Sequence, residues 1–276
     1  MHVREAAVSN QFYPGNPGVL KQSILEYLSS ATVADDLRVD AAAGKLKGVI
    51  VPHAGYVYSG AVAASSFNLL KHLDKGVKWK VLLMGPSHTT PFMGAAPFRE
   101  GIWKTPLGAV AVNDIRDELA DGANDDELIV EVIEAHRKEH SLEVQLPFLQ
   151  SVLSSFVVYP LILGNLRPDF LADRLAEFVA RDDVIVVVSS DLSHHLPFEE
   201  ALKVDEATVT GIAQMDTDSV IEKGDACGLK GILTMMLLAE KFGWKPSVLD
   251  YKNSGHTGGD KSAVVGYGSV GWFKGD

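Results

Sequence analysis

Three apolar runs in this chain each break off at a histidine. VIV (49–51) leads into Pro52-His53-Ala54-Gly55, and VLLM (81–84) leads into Gly85-Pro86-Ser87-His88. VIVVV (184–188) leads into Ser189-Ser190-Asp191-Leu192-Ser193-His194-His195. Apolar, β-branched runs closed by Gly, Pro or Ser predict buried strands. In open α/β sheets, ligands bind just beyond the carboxyl ends of the strands. If these strands are neighbours, His53, His88, Asp191 and His194 converge on one crevice. No single spacing is diagnostic; the repeated placement carries the expectation.

The other candidates differ in weight. His195 follows His194 directly, so its ring points elsewhere and reads as structural. His136 and His140 are spaced i, i+4, which puts two ligands on one helix face. The stretch HRKEHSLE reads as a helix start, so His140 is expected to face the site and His136 to lie in solvent. His2, His72 and His256 have no supporting context. Cys227 precedes the apolar run GLKGILTMMLL. A helix N-terminus lowers a thiol pKa, but a lone cysteine is as readily a small buried apolar residue. Imidazoles with a thiolate would suit Fe(II), Cu or Zn, whereas Mg and Ca want oxygen ligands. Three protein ligands would leave positions open for water or substrate. Asp191 and His194 would then support the metal ligands or serve as acid and base. A thiol nucleophile with a histidine base is the metal-free alternative.

The elements that must position these residues read as an alternation. The segment around VLKQSILEYL, the segment SGAVAASSFNLLKHL with Ser59 as cap, RPDFLADRLAEFVA, and stretches near 198–213 and 227–242 have helical spacing. FVVYPLIL, SVLDYK and SAVVGYGSVGWF read as further strands, and residues 94–112 as hairpins or irregular strands. The expected fold class is α/β, a single layered domain over 1–276 with a central mixed β-sheet flanked by helices. The chain has 276 residues, with 25 Lys and Arg against 36 Asp and Glu, a net charge of −11. That balance argues against nucleic acid as a partner. No window is apolar enough for a membrane span, and MHVREAAVSNQFYPG has no signal-peptide core. One cysteine excludes an internal disulfide and fits a cytoplasmic protein.

The motifs QFYPG, VPHAGYVYSG, GPSHT, TPLG, EHSLEVQLPFLQ, SSDLSHH, CG and VVGYGSV occur in an order that resembles the Memo family, across roughly residues 11–272. That family is named for a mediator of ErbB2-driven cell motility. Its prokaryotic members are called AmmeMemoRadiSam system protein B. The family is similar in fold to the class III extradiol dioxygenases, non-haem Fe(II) enzymes that hold iron with two histidines and a carboxylate. The resemblance implies pocket residues His53, His88, Asp191, His194 and Cys227. His53 and His88 match the two histidine ligands, and Cys227 stands where the dioxygenases place a glutamate. It implies Fe(II) or Cu on His53, His88 and Cys227, with His194, Asp191 and His140 handling protons and substrate. A small molecule or peptide is the expected partner, and the system name implies a link to a radical SAM protein. The alternative is a non-catalytic module that binds a peptide, phosphopeptide or small ligand in the same pocket.

Overall fold

The computed structural model describes residues 2–73, 76–119 and 128–275. Its strands, in chain order, are β1 (His2–Arg4), β2 (Leu46–Val51), β3 (Trp79–Pro86), β4 (Ala95–Pro97), β5 (Gly101–Thr105) and β6 (Gly108–Val112). They continue with β7 (Phe156–Leu163), β8 (Val184–Ser189), β9 (Asp191–Leu196), β10 (Lys245–Asn253) and β11 (Val264–Phe273). All belong to one mixed sheet, ordered β1-β5-β6-β7-β3-β8-β2-β11-β10, with β4 against β7 and β9 against β11. The helices are α1 (Pro17–Ser30), α2 (Asp35–Ala42), α3 (Tyr56–Leu73), α4 (Ile133–Arg137) and α5 (Leu146–Val152). After them come α6 (Pro168–Val179), α7 (Phe198–Gln214), α8 (Thr217–Lys223) and α9 (Leu229–Phe242).

The central strands are apolar throughout because both of their faces are covered. Along β8, Ile185 and Val187 enter one core while Val184, Val186 and Val188 enter the other. In β3, Val81 and Leu83 face the first core, and Leu82 and Met84 the second. Helix α3 packs Ala63, Phe67 and Leu70 into the first core. Helices α6 and α9 pack Leu171, Leu175, Ile232 and Met235 into the second. Each layer therefore supplies an apolar stripe that only the sheet can cover.

Strand β8 lies between β3 and β2, parallel to both. Val51 pairs with Ser189, and Met84 pairs with Val188. The strand ends that lead to His53, His88 and Asp191 are thus adjacent, and their loops leave the same edge.

Two local expectations are corrected. Helix α3 begins at Tyr56, so Ser59 sits inside the first turn, where its hydroxyl donates to the Ala54 carbonyl at 2.9 Å. His136 is not in solvent. It is 1% exposed, with the rings of Phe98 and Trp103 edge-on at 5.3 and 5.9 Å. The β5–β6 hairpin, which carries Trp103, covers it, and helical spacing could not foretell that cover. Among the described residues, no helix is long and apolar enough to cross a membrane.

Candidate metal centre

His53 is held from three sides. It follows β2 and is 1% exposed. Its backbone N–H donates to Asp191 Oδ1 at 2.7 Å. Its Nδ1 lies 2.9 Å from Ser189 Oγ. The Ser189 hydroxyl spends its single proton on the Ser141 carbonyl at 2.6 Å. Gln145 Nε2, anchored on the Pro52 carbonyl, donates to the same Ser189 Oγ at 2.8 Å. Ser189 can therefore only accept from His53, so Nδ1 carries the proton and Nε2 keeps a lone pair. Burial, reinforced by the nearby His140 and His88, pushes the His53 pKa well below the usual value. The ring is neutral, as a ligand must be.

His88, in the loop after β3, is placed by Glu139. The Glu139 carboxylate accepts the His88 backbone N–H at 2.6 Å and lies 2.9 Å from His88 Nδ1. It also accepts the backbone N–H groups of His140 and Ser141, each at 2.9 Å. Burial alone would raise this carboxyl, but the hydrogen bonds from the His88 ring and backbone and from Ser141 outweigh it and hold the pKa at about 2. The His140 ring stacks on His88 at 4.6 Å between centroids, lies 5.3 Å from His53, and packs against Phe12 at 4.6 Å. Burial lowers the His140 pKa. One ring nitrogen each from His53, His88 and His140 lies within 4.8 Å of the others, so the three could hold a metal ion.

Asp191, the first residue of β9, is buried, and burial raises its carboxyl to about 7. Its Oδ1 takes the N–H groups of His53 and Ala54, at 2.7 and 3.3 Å. Among the described hydrogen bonds, none joins it to the His194 ring. His194 is half-buried on β9, opposite Val265 of β11, and burial lowers its pKa. His195 is exposed, with a left-handed φ of 59°. Its ring and that of His194 are 6.1 Å apart, in keeping with its structural reading.

Cys227 stands outside the three-histidine cluster but touches it, its Sγ lying 3.3 Å from His53 Nε2. Gly228 permits this approach. A Cβ there would come within 2.6 Å of Ser190 Cβ and 2.7 Å of the Ser189 carbonyl. Of the two readings of Cys227, the buried one holds and the depressed thiol pKa does not. Helix α9 starts only at Leu229, so the sulfur lies outside its first turn. Burial, with the Asp191 charge beside it, pushes the thiol up.

Sequence reasoning missed Glu139, Gln145 and Ser189 as supports. The available signal was three polar residues, Glu139, Glu143 and Gln145, spaced four and two apart at the head of the apolar run LPFL. All three are buried.

A layered α/β protein that gathers three imidazoles and a thiol at the carboxyl edge of its sheet is a candidate metal-binding protein. The Memo-like protein family matches residues 4–271. A MEMO1 family protein of Sulfolobus acidocaldarius is 37% identical over 287 residues, covering 97% of this chain and 98% of its own. One from Sulfurisphaera tokodaii is 35% identical, with 97% and 98% covered. One from Desulfurococcus amylolyticus is 34% identical, with 99% and 100% covered. The chain belongs to the Memo family.

Proposed function

We propose that this protein is a metal-dependent oxidoreductase that acts on a small molecule or peptide with iron or copper. His53, His88 and His140 would hold the metal, with the Cys227 thiol as an adjoining sulfur donor. The observation that carries the reading is the pair of locked tautomers. Ser189 and Glu139 each occupy the Nδ1 side of a ring, which leaves the Nε2 lone pairs of His53 and His88 for a ligand. A histidine with its far nitrogen on a carboxylate is the usual second shell of a metal site. Nitrogen donors with sulfur suit Fe(II), Cu or Zn over Mg or Ca. The likeness of the family to the extradiol dioxygenases favours the redox metals.

A bound redox metal would supply one-electron chemistry and a Lewis-acidic position. The chain's own groups do the rest. Asp191, with its pKa near 7, takes up or gives a proton at neutral pH. His194 adds a second titratable wall, and Phe12 covers His140 with an apolar ring.

Element analysis of untagged protein and anaerobic titration with Fe(II) and Cu(I) test this reading. One equivalent should bind, and His53→Ala or His88→Ala should abolish uptake. Protein that takes up neither metal, or variants that keep it, would sink the proposal.

A further inference from the structure

We propose that Glu139 is the positioning residue of the histidine cluster: one buried carboxylate sets the tautomer of His88 and the backbone that presents His140. Only its consequence for metal affinity rests on the metal reading, because the tautomer exists in metal-free protein.

Four N–H groups meet this side chain: the backbone and ring of His88 and the backbones of His140 and Ser141. A carboxylate has no proton to give. His88 Nδ1 must therefore donate, and in the neutral ring the lone pair falls on Nε2. The same Oε1 that accepts from the His88 ring accepts the N–H of His140. The spacing between two cluster members is thereby tied to a single atom.

The choice of partners carries the argument further. Glu139 is 1% exposed, and a buried carboxylate is costly unless its oxygens are satisfied. A guanidinium is at hand. Arg4 Nη2 donates at 2.6 Å to the backbone carbonyl of Glu139 and Nη1 to the carboxylate of Glu143. Among the described residues, no lysine or arginine pairs with the Glu139 carboxylate, which is given wholly to the segments that carry His88 and His140. A carboxylate needed only for stability would be better placed on Arg4.

The test is the long-range proton–nitrogen NMR spectrum of the histidine rings in metal-free protein, paired with anaerobic Fe(II) titration. In the native protein His88 should show a protonated Nδ1 and a bare Nε2. Glu139→Gln keeps the shape but turns one acceptor into a donor. Three of the four donors meet Oε1, so the Gln oxygen takes that side and His88 should keep the Nδ1–H form. Glu139→Ala removes the acceptor: His88 should then shift toward the Nε2–H form, with His53 unchanged, and Fe(II) affinity should fall about 10- to 100-fold. Glu139→Asp keeps both acceptors and should restore the Nδ1–H form. An unchanged His88 tautomer in Glu139→Ala, even with stability lost, would overturn the proposal, as would Fe(II) affinity within twofold of native. If Glu139→Ala does not fold, the native spectrum decides, since an Nε2–H His88 refutes the assignment. Native protein with Nδ1–H His88 but no iron uptake would support this role and sink the metal reading alone.

Discussion

The sulfur of Cys227 faces the nitrogen of His53 that Ser189 leaves free, 3.3 Å away. A metal on His53 Nε2 would lie beside that sulfur. With Co(II) as probe, the native protein should show a strong sulfur-to-metal charge-transfer band, because a coordinating thiol is deprotonated whatever its free pKa. Cys227→Ser should lose the band yet still bind the ion through the three histidines. A native spectrum without the band would leave the sulfur as a neighbour and not a ligand.

Asp191 braces the loop that carries His53, accepting two N–H groups on one oxygen. Asp191→Ala leaves both donors without a partner, at about 1–3 kcal/mol for each buried group. Asp191→Asn retains an acceptor. Urea denaturation of metal-free protein should therefore show a loss of about 2–4 kcal/mol for the alanine variant and a much smaller one for asparagine. Equal losses would mean that Asp191 is not the brace.

Arg4 ties the N-terminal strand to the segment that bears Glu139 and His140. Its guanidinium donates to the carbonyls of His136 and Glu139, at 2.7 and 2.6 Å, and to the Glu143 carboxylate at 2.6 Å. It also lies over the Trp103 ring, 4.5 Å from the centroid. Both members of the ion pair are buried, so Arg4→Met leaves the Glu143 carboxylate without its counter-charge, held only by the N–H groups of Ala7 and Val8 and the Tyr13 hydroxyl. We expect a destabilisation of about 3–5 kcal/mol. A loss under about 1 kcal/mol in the same assay would show that the strand is no latch.

Burial holds His136 at about 4, against about 6.5 in an unfolded chain. Between those values the unfolded state binds the extra proton, so this residue's contribution falls as pH drops through 6.5 toward 4. His136→Phe removes the component. The stability difference between native protein and variant should shift by about 3 kcal/mol from pH 7 to pH 4, the native protein losing more. A difference that stays flat across that range would rule out a neutral buried His136.

Much of the frame was legible in the chain. The β8 run VIVVV reads as a strand because it has no polar face, and its residues do enter both cores. The placement of His53 and His88 just past such runs was equally visible, since a strand's end is marked by local Pro and Gly. Of residues 94–112, the single β5–β6 hairpin also follows from local turn chemistry, whereas β4 pairs with the distant β7.

The partnerships were not legible. Reading HRKEHSLE as a helix start put His136 in solvent, yet it lies in α4 and the β5–β6 hairpin, distant in sequence, covers it. Position alone left Cys227 as readily a reactive thiol as a buried one, and burial and the Asp191 charge raise its pKa.

Sequence alone determined the central strands and the larger helices, and that His53 and His88 stand just past strand ends, because apolar periodicity and turn residues act over a few positions; His194 lies within β9, a strand the sequence reading did not contain. The tertiary structure decided the rest: that β8 slots between β3 and β2, that His140 joins His53 and His88, and that Glu139 and Ser189 fix which nitrogens are free. Those outcomes depend on contacts between residues far apart in the chain, such as the 136 positions between His53 and Ser189. Packing and hydrogen-bond satisfaction across the whole sheet select such contacts; no local pattern encodes them.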